Sequence, residues 1–596
     1  MLSDSTDSTG STDSSRPSGS SDSIVFGAGG FIGRSLVAEL LRRGHRVAAG
    51  VRGSGGGLTA WLDEQGVDRT ALRVVRADIT VPGLGLPQDA LSGVRDVYNT
   101  AARFAFGITA AQARAVNVTG AVQLVAWAAG LPELRRVVHI SGYRMAAAGG
   151  GPPDYRRLGA YEASKQEGDA AVRARAGELG VPLSVANPST VIGPGQYLGL
   201  AEVVSGLWQG RLRALPGGPG VFLPVVPLDH FVRFLAALPQ DPGSAGRTYW
   251  VLDDSTPELP ALVGLLAGHM GVRSPTRSIP LGLLRRLPRA ITRADPETLS
   301  FLSTDRYDTA AARALSAAHG LSMAPVQAAL REWTDDLVAT RFGRSGPCRR
   351  PYGFHGVAGT RTWVTGERRR PGYVLLHGLL LSADAWAGTA DHLDAPALAP
   401  DLPGFGRSGA GAGTLDDWLT DLLRPVETRP VLVAHSLACG PALRYAAARP
   451  ERLAALVLVA PAFLQRPSAA VLRSPLAVPL LRTAPADRLA RSLGLSEGPG
   501  CEALALDLRR AGAARRAVAA LRDAHRQRAE LRRVLRELRL PVHIVVGSAD
   551  PLAEPVDTPV TVIEDAGHCP QLTRPEAVAR LLTSCRERAA APGTTS

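Results

Sequence analysis

Ser23-Ile24-Val25-Phe26-Gly27-Ala28-Gly29-Gly30-Phe31-Ile32-Gly33 opens the structured part of the chain and decides how its first half folds. Four apolar-leaning residues make a short buried strand, the glycines make a tight turn, and the periodic stretch from Arg34 to Arg43, ended by Gly44, makes a helix. Strand, glycine turn and helix in that order build a site for a dinucleotide pyrophosphate. Gly27 permits the turn, Gly30 admits the anion to the backbone, Gly33 lets helix lie on strand, and the helix start, with Phe31 and Ile32, faces the phosphates. The next strand, His45 to Val51, ends in Arg52, where an acid would otherwise meet a ribose hydroxyl. An arginine there suits a 2′-phosphate, so NADP(H) is the expected cofactor, with NAD(H) as the alternative.

Tyr161-Glu162-Ala163-Ser164-Lys165 contains the only lysine of the 596 residues; the remainder of the 67 Lys+Arg residues is arginine. A lysine kept in such a chain marks a place where a compact point charge is needed and a planar fork is not. Tyr161 and Lys165 stand i and i+4 on one helical face. An ammonium near a phenol favours phenolate by up to about 4 kcal/mol at ~4 Å in a dielectric of ~20, which makes the pair a candidate acid/base unit.

With Ala77-Asp78-Ile79-Thr80 after the third strand, Val97 to Ala102, Asn117-Val118-Thr119-Gly120 and Asn187 to Gly195, these segments resemble the extended short-chain dehydrogenase/reductase family, which contains sugar-nucleotide epimerases and 3β-hydroxysteroid dehydrogenases. The resemblance implies that Asp78 and Ile79 lie near the adenine and that Pro188 lies in the loop bounding the nicotinamide. It also implies that Tyr161 exchanges a proton with a substrate carbonyl or alcohol, while Lys165 holds the ribose and lowers the tyrosine pKa. In the segment after the fifth strand, Gly142 takes the place usually held by Ser or Thr, and Ser141 stands one residue early as the candidate third catalytic group.

A second set of motifs begins beyond Arg344-Ser345-Gly346-Pro347. Tyr373 to Leu376 is an apolar strand emptying into His377-Gly378. Pro430 to Val433 is another, entering Ala434-His435-Ser436-Leu437-Ala438. Val542 to Val546 delivers Asp550, and Glu564-Asp565-Ala566-Gly567-His568 delivers a histidine. The order Ser, Asp, His on strand ends resembles the α/β-hydrolase superfamily. That resemblance implies Ser436 as nucleophile, His568 as base, Asp550 as its orienting acid, and the amides of Leu379 and Leu437 as oxyanion donors. Alanines at 434 and 438 replace the usual glycines and are less forgiving of strained dihedrals.

The expected fold class is therefore α/β throughout: a doubly wound parallel sheet with a small substrate lobe over 23–345, then an α/β-hydrolase fold over 346–590 with a helical lid at about 462–540. Residues 1–22, rich in Ser, Asp, Thr and Gly, are expected to be a disordered tail. A hydrophobic content of 45% with 20% charged residues suits a soluble globular protein, here cytoplasmic. The net charge of +13 is arginine spread along the chain, without the basic tail or interleaved aromatics of a nucleic-acid binder. The 5 cysteines lack the spacing of a disulfide framework or zinc site, so no metal is expected. No apolar run reaches the length of a membrane span. The expected partners are small molecules, lipid- or polyketide-like, transformed by an NADP(H)-dependent oxidoreductase joined to a serine hydrolase. The alternatives are an epimerase/dehydratase-type first domain, or a cofactor-binding scaffold with one or both sites inactive.

Overall fold

The computed structural model describes residues 21–590 apart from 87–90, 92, 104–107, 146–151, 285–301, 347–348, 493–494, 496–498 and 555–557. The expected disordered tail therefore lies almost entirely outside the described residues. The chain divides into two compact units. One comprises Met1–Gln196, Ala214–Leu262 and Arg277–Trp333; the other comprises Tyr197–Arg213, Val263–Thr276 and Thr334–Ser596.

The first unit is built on a seven-stranded, wholly parallel sheet: β1 Ser23–Phe26, β2 Val47–Val51, β3 Leu72–Arg76, β4 Asp96–Asn99, β5 Arg136–Ile140, β6 Leu183–Pro188 and β7 Thr248–Val251. The strands lie in the order 7-6-5-4-1-2-3. Every residue of β1, β4 and β5 is buried, as expected of central strands covered on both faces. The chain reverses its winding between β1 and β4, the place where open α/β sheets leave a crevice at their carboxyl ends. Gly27 sits there with φ +78°, and a Cβ on it would come within 2.8 Å of the Ala101 backbone. Helix α1, Phe31–Arg42, follows. It starts three residues earlier than its apolar periodicity suggests, because Phe31 and Ile32 pack on the core from its first turn. A second helix, α2, runs from Ala160 to Glu178.

The second unit holds an eight-stranded sheet: β8 Tyr352–Val357, β9 Thr360–Gly366, β10 Tyr373–Leu376, β11 Ala397–Pro400, β12 Val431–His435, β13 Ala455–Val459, β14 Val542–Gly547 and β15 Val560–Ile563. Its order is 8-9-11-10-12-13-14-15. The pairs 8/9 and 9/11 are antiparallel and the rest parallel. β12 and β13 are buried throughout and form its centre. Helix α3, Cys439–Ala448, backs β12. Between β13 and β14 the chain inserts a helical segment that includes α4, Ala477–Thr483, and α5, Ala513–Glu537. Among the described residues no helix is long and apolar enough to cross a membrane, and no cluster of His, Cys, Asp or Glu is arranged to hold a metal ion.

Candidate functional sites

In the first unit, α2 places Tyr161 and Lys165 one turn apart beside the end of β5. Lys165 is 5% exposed, and its Nζ donates to the Ile140 carbonyl at 2.7 Å. Burial lowers its pKa to about 8, against the opposing pull of Asp169 and Glu162. Burial, and then Glu162, raises the Tyr161 phenol above its ordinary range. In this state one N–H of the ammonium is held by a backbone carbonyl, which leaves two for a ligand, and the phenol is protonated.

The helix start is fixed by a chain of hydrogen bonds. Asn117 Nδ2 donates to Ser164 Oγ at 2.9 Å, Ser164 Oγ donates to the Tyr161 carbonyl at 2.8 Å, and the Arg103 amide donates to Asn117 Oδ1 at 2.9 Å. Asn117 lies in a single π-helical turn, Ala115–Gly120, a device that frees backbone groups and recurs at functional sites. A Cβ at Gly168 would overlap the Asn117 carbonyl, so α2 comes this close only because residue 168 is glycine. Sequence reasoning missed Gly168. A glycine inside a helix costs about 1 kcal/mol against alanine, which was the available signal of a close approach.

Ser141 is 4% exposed at the end of β5. Its hydroxyl, both amide atoms of Asn187 and the Ser189 hydroxyl are buried with no hydrogen-bond partner among the described residues. Buried polar atoms are ordinarily satisfied. Unmet groups at the ends of the neighbouring strands β5 and β6, the former held to Lys165 through Ile140, fit a polar ligand such as a nicotinamide nucleotide. Gly142 lies next to Lys165: a Cβ there would meet Met145 Cε at 2.9 Å and Lys165 Cβ at 4.0 Å. At the other end of the crevice, Asp78 Oδ1 accepts from the Thr80 amide at 2.9 Å and its hydroxyl at 2.7 Å. These bonds lower its pKa, with a smaller contribution from Arg52. Arg52 is exposed and Ile79 buried, while Pro188 closes β6, paired to Val251.

In the second unit, Ser436 follows β12 with φ +51°, a backbone conformation that L residues rarely adopt. His568 Nε2 lies 3.1 Å from Ser436 Oγ, and His568 Nδ1 lies 3.2 Å from Asp550 Oδ2. His568 and Asp550 are both buried. Burial pushes the Asp550 carboxyl up, but the hydrogen bond and charge of His568, with the Leu552 amide and His435, together outweigh it, so the net shift is downward. The flanking alanines need no glycine dihedrals. Ala434 is still in the strand, Ala438 is helical at φ −66°, and the strain falls on Ser436 alone. What those two positions require is small volume, since both are fully buried.

The His377-Gly378 turn lies against this elbow. Leu402 N–H donates to His377 Nε2 at 2.8 Å, so Nδ1 carries the proton and donates to the Gly378 carbonyl at 2.8 Å. In a trans peptide the next amide, of Leu379, points the opposite way. A Cβ on Gly378 would overlap His435 Nδ1 and stand 2.9 Å from Ser436 Cβ. Two further residues escaped sequence reasoning. His435 Nε2 donates to the His568 carbonyl at 2.9 Å and so tethers the histidine loop to the elbow. Gln465 is 5% exposed; its Nε2 donates to Asp550 Oδ2 at 2.7 Å and sits 3.1 Å from His568 Nδ1. His435 stood inside a quoted motif, but nothing around Gln465 distinguished it.

Residues 25–235 match the family model described as Male sterility protein, an NAD-binding family, and residues 373–581 match the model described as Alpha/beta hydrolase family. The chain joins a stretch that matches an NAD-binding family model to a stretch that matches an α/β-hydrolase family model, one on each of the two sheets. Among curated proteins it is similar to Lipase LipV of Mycobacterium tuberculosis, 33% identical over 133 residues, which are 21% of this chain and 42% of that protein. It is also similar to pimeloyl-[acyl-carrier protein] methyl ester esterase of Citrobacter koseri, 38% identical over 101 residues, 16% of this chain and 40% of that protein. The chain thus spans about two fifths of the length of these relatives. Among solved structures, it is similar to the terminal R domain of the myxalamid PKS-NRPS pathway, with TM-score 0.45 and 20% identity over 55% of this chain and 93% of that one. UDP-glucuronic acid 4-epimerase of Bacillus cereus, solved with NAD, has TM-score 0.41 and 16% identity over 52% of this chain and 98% of that one.

Proposed function

We propose a bifunctional enzyme: an NADP(H)-dependent oxidoreductase acting on a ketone or secondary alcohol of an apolar, lipid- or polyketide-like metabolite, joined to a serine hydrolase of an ester, thioester or lactone. The observation that carries the hydrolase half is the continuous path Ser436 Oγ, His568, Asp550, with contacts of 3.1 and 3.2 Å. His568 Nε2 takes the hydroxyl proton as Ser436 attacks the carbonyl. Asp550 holds the Nδ1–H tautomer and stabilises the imidazolium. The Leu379 and Leu437 amides receive the developing oxyanion, and His568 returns its proton to the leaving group. Water, activated by the same histidine, then releases the acyl group.

For the reductase half, the carrying observation is the half-buried Tyr161 one turn from the buried Lys165, with unmet polar groups at Ser141, Asn187 and Ser189 on the adjoining strand ends. A nicotinamide nucleotide, when bound, would supply or accept the hydride. Gly27, Gly30, Phe31, Ile32 and Gly33 hold the pyrophosphate, Arg52 the 2′-phosphate, and Asp78 with Ile79 the adenine, while Pro188 bounds the nicotinamide and Lys165 takes the ribose hydroxyls. Tyr161, protonated in the free protein, is the proton donor in the reducing direction, with Ser141 on the same substrate oxygen.

Two variants test the reading. Tyr161→Phe should abolish NADPH-linked carbonyl reduction and spare ester hydrolysis, and Ser436→Ala should do the reverse. A wild-type protein that forms no adduct with a fluorophosphonate at Ser436 would sink the hydrolase half. One that binds NADPH but oxidises it with no carbonyl in a broad panel would sink the other.

A further inference from the structure

Arginines run along the whole chain, but the balance of positive over negative charge is concentrated in one segment. Between Arg466 and Leu540, the helical insertion of the second unit, stand 16 arginines against 7 carboxylates, an excess of +9 out of the chain's +13. The same insertion carries three exposed aliphatic side chains within ten residues: Val471 at 57%, Leu476 at 78% and Leu480 at 48% exposure. Isolated exposed leucines are ordinary, but a cluster rimmed by charge marks an interaction surface. Behind them, between α4 and α5, runs a groove of about 450 Å³ lined by Pro475, Val478, Pro479, Val518 and Ala519, with Arg515 and Arg522 on its rim. Among the described residues, Arg482 and Arg515 make no ion pair; both are exposed. Arg522 donates to the Arg473 carbonyl at 3.2 Å and so ties α5 to the loop that bears Val471.

We infer that this face of the insertion docks on an anionic lipid surface, with Leu476, Val471 and Leu480 entering the headgroup boundary and Arg482, Arg515 and their neighbours on the phosphates. The pattern of apolar side chains ringed by arginine is that of an interfacial element. A protein partner is the less suited occupant. Protein interfaces anchor on tryptophan, tyrosine and arginine and seldom on leucine or valine; the apolar side chains exposed here are leucine and valine, and no Trp, Tyr or Phe occurs between Arg466 and Leu540. Although Arg491, Arg526, Arg528, Arg532 and Arg533 have carboxylate partners, the insertion keeps a net positive excess, which matches a surface of repeated phosphates.

The test is co-sedimentation of the full chain with sucrose-loaded vesicles of phosphatidylcholine alone, or of phosphatidylcholine with phosphatidylglycerol, at low and high salt. Pelleting needs no turnover, so its outcome is separate from that of the hydrolase and reductase assays. Binding should appear with the anionic vesicles and fall with salt. Each of Arg482→Gln and Arg515→Gln should weaken it about fivefold, from about 1 kcal/mol per basic residue at such a surface. Leu476→Ser should weaken it about tenfold through lost apolar burial. All three positions are exposed, and unchanged thermal melting would establish that the variants remain folded. Equal binding to neutral vesicles, no binding to either, or arginine variants that pellet like wild type would overturn the proposal. So would capture by an acidic protein without any affinity for anionic vesicles.

Discussion

Replacing Gln465 with leucine should make Ser436 react faster. Asp550 Oδ2 is shared: Gln465 Nε2 is 2.7 Å away and His568 Nδ1 3.2 Å, while the two nitrogens lie 3.1 Å apart. Three atoms at such spacings form a nearly equilateral triangle, so the amide nitrogen sees its neighbours about 65° apart while its two N–H bonds diverge by about 120°. One hydrogen can serve the carboxylate, and the other cannot then be aimed at Nδ1. If Nδ1 carries a proton, as it must for Nε2 to act as base, both nitrogens are donors competing for one oxygen. The histidine has the longer contact, 3.2 Å against the roughly 2.7–2.9 Å of an unimpeded charge-assisted bond. A hydrogen bond to a charged group is worth about 1.5–3 kcal/mol. Restoring about 1 kcal/mol of it to His568 as it becomes imidazolium accelerates Ser436 about fivefold. The apolar isostere leaves the pocket filled, although Asp550 loses a donor and the fold loses about 1 kcal/mol. The assay is the second-order rate of fluorophosphonate labelling at neutral pH, paired with kcat/KM on a p-nitrophenyl ester. An unchanged or slower rate in a folded Gln465→Leu protein would show that the amide supports Asp550 more than it competes with His568.

Gly378→Ala should remove hydrolase labelling and lower Tm, because its Cβ would overlap His435 Nδ1 and press on Ser436 Cβ at 2.9 Å. Overpacking of this kind costs about 1–3 kcal/mol, and a melt indistinguishable from wild type would refute the packing argument. Dinucleotide affinity should depend on pH through Lys165. With its pKa lowered to about 8 by burial, the ammonium needed by the ribose is present below pH 8 and lost above it. The Kd of NADPH, read by fluorescence titration, should therefore be flat below pH 8 and rise about tenfold per unit beyond it, a slope that Lys165→Met should abolish. The stability effect has the opposite sense. The depressed folded pKa means that the unfolded chain binds more protons between about pH 8 and 10.5, so Lys165's contribution to stability rises across that window.

Both folds were legible in the sequence because their strands are continuous apolar runs followed at once by residues of restricted choice. β1 empties into Gly27, β10 into His377-Gly378, and β12 into His435-Ser436, and at each the backbone geometry narrows what residue can stand there. Chain order then supplied Asp550 and His568, since they follow β14 and β15, which run parallel to β12 beyond β13 and so end on the same edge of the sheet. Boundaries were less legible, as at α1, because periodicity reports the buried face and not the first turn. The two sites differ further in what escaped. In the first, the close approach of α2 to the π-turn is written in a single glycine, Gly168, whose meaning depends on a carbonyl 51 residues earlier at Asn117.

In the second, the unreadable part is a relation between side chains and not a motif. Gln465 belongs to the segment leaving β13, Asp550 to the loop after β14 and His568 to the loop after β15. No local pattern couples three such segments, and a glutamine has no fixed spacing from a catalytic acid that its chemistry would impose. Its position has a physical consequence nonetheless. Gln465 immediately precedes the arginine-rich insertion at Arg466, and the Arg466 amide is itself held by the Leu552 carbonyl at 2.9 Å, two residues beyond Asp550. A displacement of the insertion strong enough to break that bond would draw the Gln465 amide off Asp550 Oδ2 and leave the oxygen to His568. The side chain that competes within the triad is thus anchored to the segment that carries the exposed leucines and the excess of arginine. Anionic vesicles should accordingly speed labelling of Ser436 in the wild type and leave Gln465→Leu, already released, unaffected. Equal acceleration of both proteins would separate surface docking from the chemistry of the triad.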